Sequence, residues 1–272
     1  MLRHAEDKDR PTLLAYLERE PEFNLFILGD IASFGLRSDV VDVFIQEKEG
    51  AGEAVLLRYR NCLIPYTHDL GVVLSPVVTR MNLYLGKGEK WFVSGKKDII
   101  DLVKPRLAGT LSREHDQFFS VCRELRLEVP LVQLPLVQMA RGKDAGDISK
   151  LLNAITEFGD SGANPEHLKE EIDAGKRAVA MVRESATGEL VSVASCVAET
   201  DSSAMIIGVA TRPDRRGKGY ATACVYRLVY DLQRKGKSTC LFFHNPAAGA
   251  IYHRLGFKDI GMWEILEFGK TP

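Results

Sequence analysis

The chain has 272 residues, with 36 basic and 37 acidic side chains and a formal net charge of −1 at pH 7. Hydrophobic residues make up 45% and charged residues 27%, which is typical of a folded globular protein and excludes an intrinsically disordered chain. The balanced charge argues against a general nucleic-acid-binding protein, which carries a basic excess.

The sequence also argues against a membrane protein and against a metal-binding protein. No apolar run approaches the ~20 residues that cross a bilayer, and the N-terminus is charged where a secretory signal becomes apolar. We therefore expect a cytoplasmic protein with no membrane partner. The five cysteines are widely spaced, no Cys-x-x-Cys or His-x-x-x-His pattern occurs, and no metal site is predicted.

The opening of the chain recurs about half a chain later. Leu2–Leu17 and Val137–Leu152 share an Ala-x-x-Lys-Asp element, and each copy predicts a short strand, a polar turn and an amphipathic helix. This repeat predicts two domains of related plan, at residues 1–130 and 136–272. Leu131–Pro135 is interpreted as a linker or a shared strand.

The first half predicts mixed α and β structure. Lys96–Leu107 is predicted as a helix interrupted at Pro105, and Gly86–Gly88 as a hairpin turn. No catalytic group of residues is found here, so we expect this half to support the other. The predicted strands are Val40–Gln46, Ala54–Tyr59, Met81–Leu85 and Lys90–Ser94.

The second half has clearer start and stop signals. Asn164 and Pro165 predict a helix to Gly175, and residues 217–235 predict a longer helix that stops at Gly236. Asn245 and Pro246 predict a further helix that ends at Gly256. The predicted strands are Ala178–Arg183, Leu190–Ala198, Ala204–Thr211, Thr239–His244 and Met262–Phe268.

A loop rich in glycine and arginine joins the strand ending at Thr211 to the helix that follows. The first amides of a helix have no partner inside it and lie at the positive end of its dipole. Gly217 and Gly219 lack the Cβ atoms that would obstruct an anion, while Arg216 and Lys218 add positive charge. The loop therefore predicts an anion site, most simply for a pyrophosphate.

Two motifs in this half together resemble a known family. The first is Arg216-x-x-Gly219-x-Ala221; the second is Asn245-x-x-Ala248-x-x-x-Tyr252, followed by Leu-Gly-Phe. Their order and spacing resemble the GCN5-related N-acetyltransferase (GNAT) family, and residues 209–221 are most similar to its FR47-like branch. The resemblance covers about residues 137–268.

The resemblance implies an α/β fold of tandem GNAT-like domains. Each half is expected to have a central mixed, mostly antiparallel sheet flanked by helices. The first half lacks the Arg-x-x-Gly-x-[Gly/Ala] loop, so it is interpreted as a degenerate GNAT-like domain without cofactor.

The resemblance also implies acetyl-CoA as donor and an N-acetyltransferase that works by direct attack in a ternary complex. By position, Tyr252 would be the general acid that protonates the departing thiolate; a phenol with a reference pKa of about 10 is a suitable donor to a thiol of about 8.5. The expected cofactor-binding residues are Val209, Ala210, Thr211, Arg216, Gly217, Lys218, Gly219, Tyr220, Ala221, Thr222, Asn245 and Ala248.

The general base is left open by the sequence. The family often carries a glutamate on the strand before the phosphate loop, but Met205 holds that place and accepts no proton. Glu199 is taken as the first candidate, with Asp201 and His244 behind it. A water relay or an acceptor of low pKa would make a dedicated base unnecessary.

Several functions remain open. The first is acetylation of a small-molecule amine or a peptide N-terminus, and the alternative is an acyl-CoA sensor or scaffold with little catalysis, which Met205 favours. Aminoacyl transfer from a charged tRNA is less well supported, because the phosphate loop is intact and no basic excess exists. The resemblance implies an acceptor site near residues 157–172, where Glu157 and Asp160 would attract a cationic amine or would simply belong to a solvated helix face.

Overall fold

The computed structural model describes residues 1–48, 51–86, 89–126, 136–155 and 163–269. The chain divides into two compact units. Unit 1 comprises Met1–Phe119 and Ile260–Pro272, and unit 2 comprises Ser120–Asp259. The chain therefore leaves unit 1, builds unit 2 and returns to unit 1 with its last strand.

Unit 1 is a mixed sheet with helices. Its strands follow the order β1-β2-β3-β4-β5-β12-β6, and the pairing of β4 with β5 is parallel. The helices are α1 (Arg10–Leu17), α2 (Leu25–Phe34), α3 (Ser75–Leu85) and α4 (Lys97–Val103). The strands are β1 (Leu2–His4), β2 (Val41–Lys48), β3 (Ala51–Tyr59), β4 (Cys62–Tyr66), β5 (Trp91–Lys96), β6 (Leu111–Cys122) and β12 (Lys258–Phe268).

One predicted strand of unit 1 is wrong. Met81–Leu85 was expected to be extended, but it forms the end of α3, which begins at Ser75 with a proline in its first turn. Val77, Met81 and Leu85 are buried four residues apart, the spacing of one helix face. Gly86 follows the helix, and the rest of the hairpin expected at Gly86–Gly88 lies outside the described residues.

The last strand of the chain belongs to unit 1. Residues Trp263–Phe268 of β12 pair antiparallel with residues Lys96–Trp91 of β5. The indole nitrogen of Trp263 donates a hydrogen bond to Ser94 Oγ over 2.7 Å. The sequence placed this strand with the second half, and the division at 1–130 and 136–272 stays a prediction that differs from the compact units at this point.

Within its described residues, unit 2 contains five strands and four α-helices of its own. Its strands follow the order β11-β10-β9-β8-β7, antiparallel except that β10 runs parallel to β11. The helices are α5 (Ala145–Asn153), α6 (Pro165–Asp173), α7 (Tyr220–Gln233) and α8 (Pro246–Arg254). The strands are β7 (Gln138–Met139), β8 (Ala178–Arg183), β9 (Leu190–Val197), β10 (Ser203–Thr211) and β11 (Ser238–Phe243).

Helices cover both faces of this sheet. On one face α7, α8 and the strand residues Ala194 and Ile206 form a buried cluster, which we call the α7–α8 cluster. On the other face α5 and α6 pack with Val193 and Ala210 in a second cluster, the α5–α6 cluster. Successive strand residues point to opposite faces, so a side chain's position along β9 or β10 determines which cluster it joins. The predicted mixed, mostly antiparallel sheet flanked by helices is confirmed.

Candidate functional site

The parallel strands β10 and β11 separate part of the way along their length. Their register runs from Ser203 opposite Ser238 to Ile206 opposite Leu241, although β10 continues to Thr211. On its other side β10 stays paired with β9 as far as Thr211 opposite Ser192. One edge of the last residues of β10 is therefore free of β11, and an extended ligand can pair with such an edge.

A bulge marks the point of separation. Ile207 faces Ser195 and Ala210 faces Val193, so β10 carries one residue more than β9 between these pairs. Gly208 lies in the bulge with a φ of +59°, a conformation that L side chains rarely adopt. The bulge turns the following residues away from β11.

The loop after β10 is basic, but part of its charge is neutralised. Arg212 pairs with Asp214 at 3.0 Å, and Arg215 pairs with Glu184 at 3.1 Å. Lys218 is exposed and has no carboxylate partner in the part of the chain that the structure describes. Arg216 Nε donates to the carbonyl oxygen of Thr211 over 3.4 Å, which holds the loop against the end of β10.

The start of α7 is open at its two glycines. Gly217 and Gly219 have φ values of +78° and +76°, and an added Cβ would meet nothing within 4 Å at either glycine. Gly219 is the N-cap of α7, and its carbonyl accepts from Ala223 N–H. The amides of the first turn precede this bond, so they present donors and the positive end of the helix dipole to an approaching anion.

The helix α8 starts with a side-chain cap. Asn245 Oδ1 accepts a hydrogen bond from Ala247 N–H over 2.9 Å, and Asn245 itself is exposed. Within α8, Gly249 is required by close packing, because a Cβ there would lie 2.4 Å from Cε2 of Phe243 at the end of β11. The cap and this contact fix where the rest of α8 lies.

The ring of Tyr252 is buried, but its hydroxyl is not fully enclosed by the protein. The ring is 6% exposed and packs against Phe243 and Phe257, with centroid distances of 5.7 and 5.9 Å. Its hydroxyl oxygen is not fully enclosed, and it makes no hydrogen bond to any residue that the structure describes. Burial raises the pKa of Tyr252 to about 12, so the hydroxyl keeps its proton near neutral pH.

The structure brings several of the predicted site residues together. Tyr252 belongs to the α7–α8 cluster, and Val209, Tyr220 and Ala248 pack against the same cluster. They come from α8, β10 and the start of α7, so these three elements contribute to the same cluster. Ala210 points to the opposite face, where it joins the α5–α6 cluster.

Glu199 lies away from this group. It follows β9 and pairs with Lys235 at 3.0 Å and Lys237 at 2.8 Å, beside the start of β11. Burial acts to raise the pKa of Glu199, but hydrogen bonds from Lys237 and Lys235 outweigh it and the pKa is lowered. The separation of β10 from β11 begins near the other end of their paired segment, so the structure does not bring Glu199 to the predicted site.

The other residues considered for the general base and for the acceptor site lie in different places. Met205 is fully buried. His244 is exposed just after β11, and Asp201 is exposed before β10. Glu157 and Asp160, expected to attract a cationic acceptor, lie outside the described residues.

The sequence analysis missed two residues at the bulge. Gly208 interrupts an apolar strand, and such a glycine is itself a signal of a bulge or a close approach. Ser195 faces Ile207 on β9, and nothing in its local sequence distinguishes it. Its place at the site depends on the strand register, which the sequence alone does not show.

Comparisons with known proteins agree with this arrangement. Residues 179–266 match the family model described as GNAT acetyltransferase. The search of curated proteins gave no match. In the part of the chain that the structure describes, no helix is long and apolar enough to cross a membrane.

Solved structures resemble the whole chain. A Drosophila protein is 12% identical, covers 98% of each chain and has a TM-score of 0.71. A GCN5-related N-acetyltransferase from Sphaerobacter thermophilus is 16% identical over 98% of this chain and 94% of its own, with a TM-score of 0.63. A tandem GNAT protein from the clavulanic acid biosynthesis pathway is 11% identical over 100% and 99%, with a TM-score of 0.60. At these identities the likeness shows a shared fold.

Proposed function

Because residues 179–266 match the GNAT acetyltransferase family model, we propose that this protein transfers an acetyl group from acetyl-CoA to the nitrogen of an amine. The nitrogen–carbon bond forms, the carbon–sulfur bond breaks, the sulfur gains a proton and the amine loses one. The observation that carries the proposal is the separation of β10 from β11 after Ile206 and Leu241, which opens a strand edge beside the start of α7.

The open edge of β10 suits the amides of the pantetheine arm. Val209, Ala210 and Thr211 lie beyond the last pair with β11, so backbone groups on this edge would bind an extended ligand as a strand does, with the Thr211 carbonyl giving up its contact with Arg216 Nε where the ligand needs it. In the same place, backbone N–H groups near Val209 would stabilise negative charge on the thioester oxygen as the amine attacks.

The start of α7 suits the pyrophosphate. Gly217 and Gly219 leave the approach open, Lys218 adds an unpaired cation, and amides from Arg216 to Thr222 would donate hydrogen bonds. Each hydrogen bond to a charged group of this kind contributes about 1.5–3 kcal/mol.

A variant of Asn245 can distinguish its structural role as a helix cap from its proposed role in binding the cofactor. Asn245→Asp keeps the Oδ1 acceptor that caps α8 through Ala247 N–H, but it removes the Nδ2 donor proposed to contact the cofactor arm. We expect an unchanged melting temperature and a KM for acetyl-CoA raised about 3- to 10-fold, the loss of one hydrogen bond. Asn164→Asp, which keeps the equivalent cap of α6 with His167 N–H, is the matched control and should leave KM unchanged. An unchanged KM in Asn245→Asp would remove Asn245 from the cofactor site.

Tyr252 is proposed to assist departure of the CoA thiolate. Its raised pKa of about 12 lies above the thiol reference of about 8.5, so the hydroxyl acts first as a hydrogen-bond donor to the developing thiolate. Tyr252 belongs to the α7–α8 cluster, against which Val209 of the proposed cofactor edge also packs, and this shared cluster supports the role.

We propose that Glu199 is not the general base. Glu199→Gln is expected to leave kcat and KM within about twofold of the wild type, because the carboxylate is held by two lysines beside the start of β11. It should lower the free energy of unfolding at pH 7 by at most about 1 kcal/mol, as for an exposed ion pair. The lowered pKa stabilises the fold above the ordinary value of 4.5, so this difference should vanish as the pH falls below it. A change in the pH–rate profile would restore Glu199 as a candidate.

An acyl-CoA sensor is the second candidate, and Met205 favours it because this buried thioether replaces a proton acceptor. A turnover assay distinguishes the transferase from the sensor. Purified protein, acetyl-CoA and a panel of amines are incubated, and the acetylated amine and free CoA are measured by mass spectrometry. Amine-dependent release of CoA supports the transferase, whereas binding of acetyl-CoA without release with any amine supports the sensor.

The donor site is assigned to unit 2 and not to unit 1. In unit 1 the parallel strands β4 and β5 end at Tyr66 and Lys96, and both side chains bind Glu20, at 3.0 and 2.8 Å. The register of β4 and β5 also stops before their ends, at Leu63 opposite Val93, but a Cβ on Gly95 would lie 3.5 Å from the carbonyl oxygen of Pro65, so little room is left between the two strands there. We therefore propose that unit 1 supports the transferase without binding the donor itself.

A further inference from the structure

The hydroxyl of Ser195 is buried without a partner. Ser195 lies on β9 and is fully buried, and its Oγ makes no hydrogen bond to any residue that the structure describes. An enclosed hydroxyl of this kind destabilises a fold, because it loses its hydrogen bonds to water and gains none. Alanine at the same place would avoid that penalty, so the hydroxyl calls for a functional explanation.

A small space adjoins this hydroxyl at Gly208. A Cβ built on Gly208 would lie 3.8 Å from Ser195 Oγ and 3.7 Å from Leu152 Cδ2. Because glycine has no side chain, this volume between the bulge and α5 is left unfilled. The bulge is also where β10 leaves β11, so the space lies next to the strand edge proposed to hold the thioester.

The strand residues next to Ser195 on this face are apolar. Val193 belongs to the α5–α6 cluster, and Ser195 lies two residues further along β9, so it points to the same face. Ile207 stands opposite Ser195 in the register and Met205 lies two residues before it, on the same face. Ile207 is 36% exposed although it lies in the middle of a sheet, so this face is open to solvent there.

We propose that Ser195 binds the acceptor of the transferase described above: Oγ accepts a hydrogen bond from the N–H of a neutral amine, whose lone pair then faces the thioester carbon. The amine enters from the face of α5, and the Leu152 side chain turns aside to admit it. An apolar group on the acceptor packs against Leu152 and Ile207. This inference rests on the proposed function.

The surroundings select the chemical class of the acceptor. An apolar wall disfavours a charged ammonium group, so the amine must bind as the neutral base. An α-amino group has a reference pKa near 8 and a lysine side chain about 10.4, so at pH 7 the α-amine is about 250-fold richer in the neutral form. The structure therefore favours a weakly basic amine with an apolar substituent, such as the α-amine of an apolar amino-acid amide.

The test compares Ser195→Ala with a matched control. Thr239→Val also removes an enclosed hydroxyl without a partner, but Thr239 pairs with Ala204 in the part of the sheet where β10 and β11 are still joined. The measurements are melting temperature, the Kd for acetyl-CoA, kcat/KM for L-leucinamide, and the Kd of L-leucinamide for the protein saturated with CoA.

Ser195→Ala is expected to melt at the wild-type temperature or higher and to bind acetyl-CoA within twofold of the wild type. Its kcat/KM for L-leucinamide and its affinity for L-leucinamide in the CoA complex should each fall about tenfold, the loss of one hydrogen bond. Thr239→Val should change neither. In the wild type, L-leucinamide should be a better acceptor than Nα-acetyl-lysinamide.

Unchanged acceptor affinity and kcat/KM in Ser195→Ala would overturn the assignment of Ser195. A preference for Nα-acetyl-lysinamide would overturn the acceptor class. Failure of the wild type to bind acetyl-CoA would overturn the proposed function and this inference with it. The first two results are distinguishable from the third, because in them acetyl-CoA still binds.

Discussion

Gly219→Asp is expected to raise the Kd for acetyl-CoA by about 100-fold, which corresponds to about 2.7 kcal/mol. The new carboxylate would stand at the N-cap of α7, where the pyrophosphate is proposed to lie, and would repel it while occupying the open approach. Calorimetric titration of acetyl-CoA into the folded variant measures the effect.

Gly236→Asp is the matched control. Gly236 follows the C-terminal end of α7, has the same φ of +76° and also has nothing within 4 Å of an added Cβ. Both variants strain a left-handed residue by about 1–2 kcal/mol, and the control also places a negative charge at the unfavourable end of the helix dipole. It should nevertheless bind acetyl-CoA within threefold of the wild type. Wild-type affinity in a folded Gly219→Asp protein would show that the pyrophosphate does not bind at α7.

Tyr252→Phe is expected to lower kcat by about 100-fold, the lower end of what a positioned proton donor contributes. The Kd for acetyl-CoA should stay within twofold, because the hydroxyl acts on the departing sulfur and not on the bound ground state. The melting temperature should not change, since no described residue hydrogen-bonds to that hydroxyl. Steady-state kinetics with a turned-over amine measure the loss.

Tyr230→Phe is the control for this change, because Tyr230 is an exposed tyrosine on α7 and should tolerate loss of its hydroxyl. The pKa of Tyr252, raised by burial to about 12, also predicts that its ionisation causes no loss of activity until the pH approaches that value. A Tyr252→Phe protein with wild-type kcat would leave Tyr252 as a core side chain alone.

Much of unit 2 could be predicted from local sequence. Ala178–Arg183 was predicted with the bounds that the structure shows. Asn164 and Asn245 were predicted to open helices, and each accepts a hydrogen bond from the first turn of its helix. These features depend on side chains and backbone groups within a few residues of one another, so a local pattern contains the information.

Unit 1 was predicted less well, for two physical reasons. The apolar run that forms α2 (Leu25–Phe34) shows little periodicity, so its pattern did not distinguish a helix from a strand. The strand at the C-terminus was recognised, but its partner β5 lies far away in the sequence. Long-range pairing is decided by the packing of the whole unit and not by the strand itself.

The candidate site likewise combines features that a local motif predicts with features that depend on pairing between distant strands. The glycine loop and the cap of α8 were found because each is a local motif. The separation of β10 from β11, the bulge at Gly208 and the position of Ser195 arise from register between strands. Glu199 was chosen because it lies in the turn just before the strand that leads into the loop. In the structure its carboxylate pairs with Lys235 and Lys237, away from the loop.

The measurement that tests the account most directly is calorimetric titration of acetyl-CoA into the wild-type protein. We expect saturable micromolar binding at one site per chain, because β10 and β11 separate in unit 2 whereas Glu20 holds the ends of β4 and β5 in unit 1. Saturation at 100 times the Kd should also stabilise the fold by about 2.7 kcal/mol. Absence of binding, or two equal sites per chain, would contradict the account.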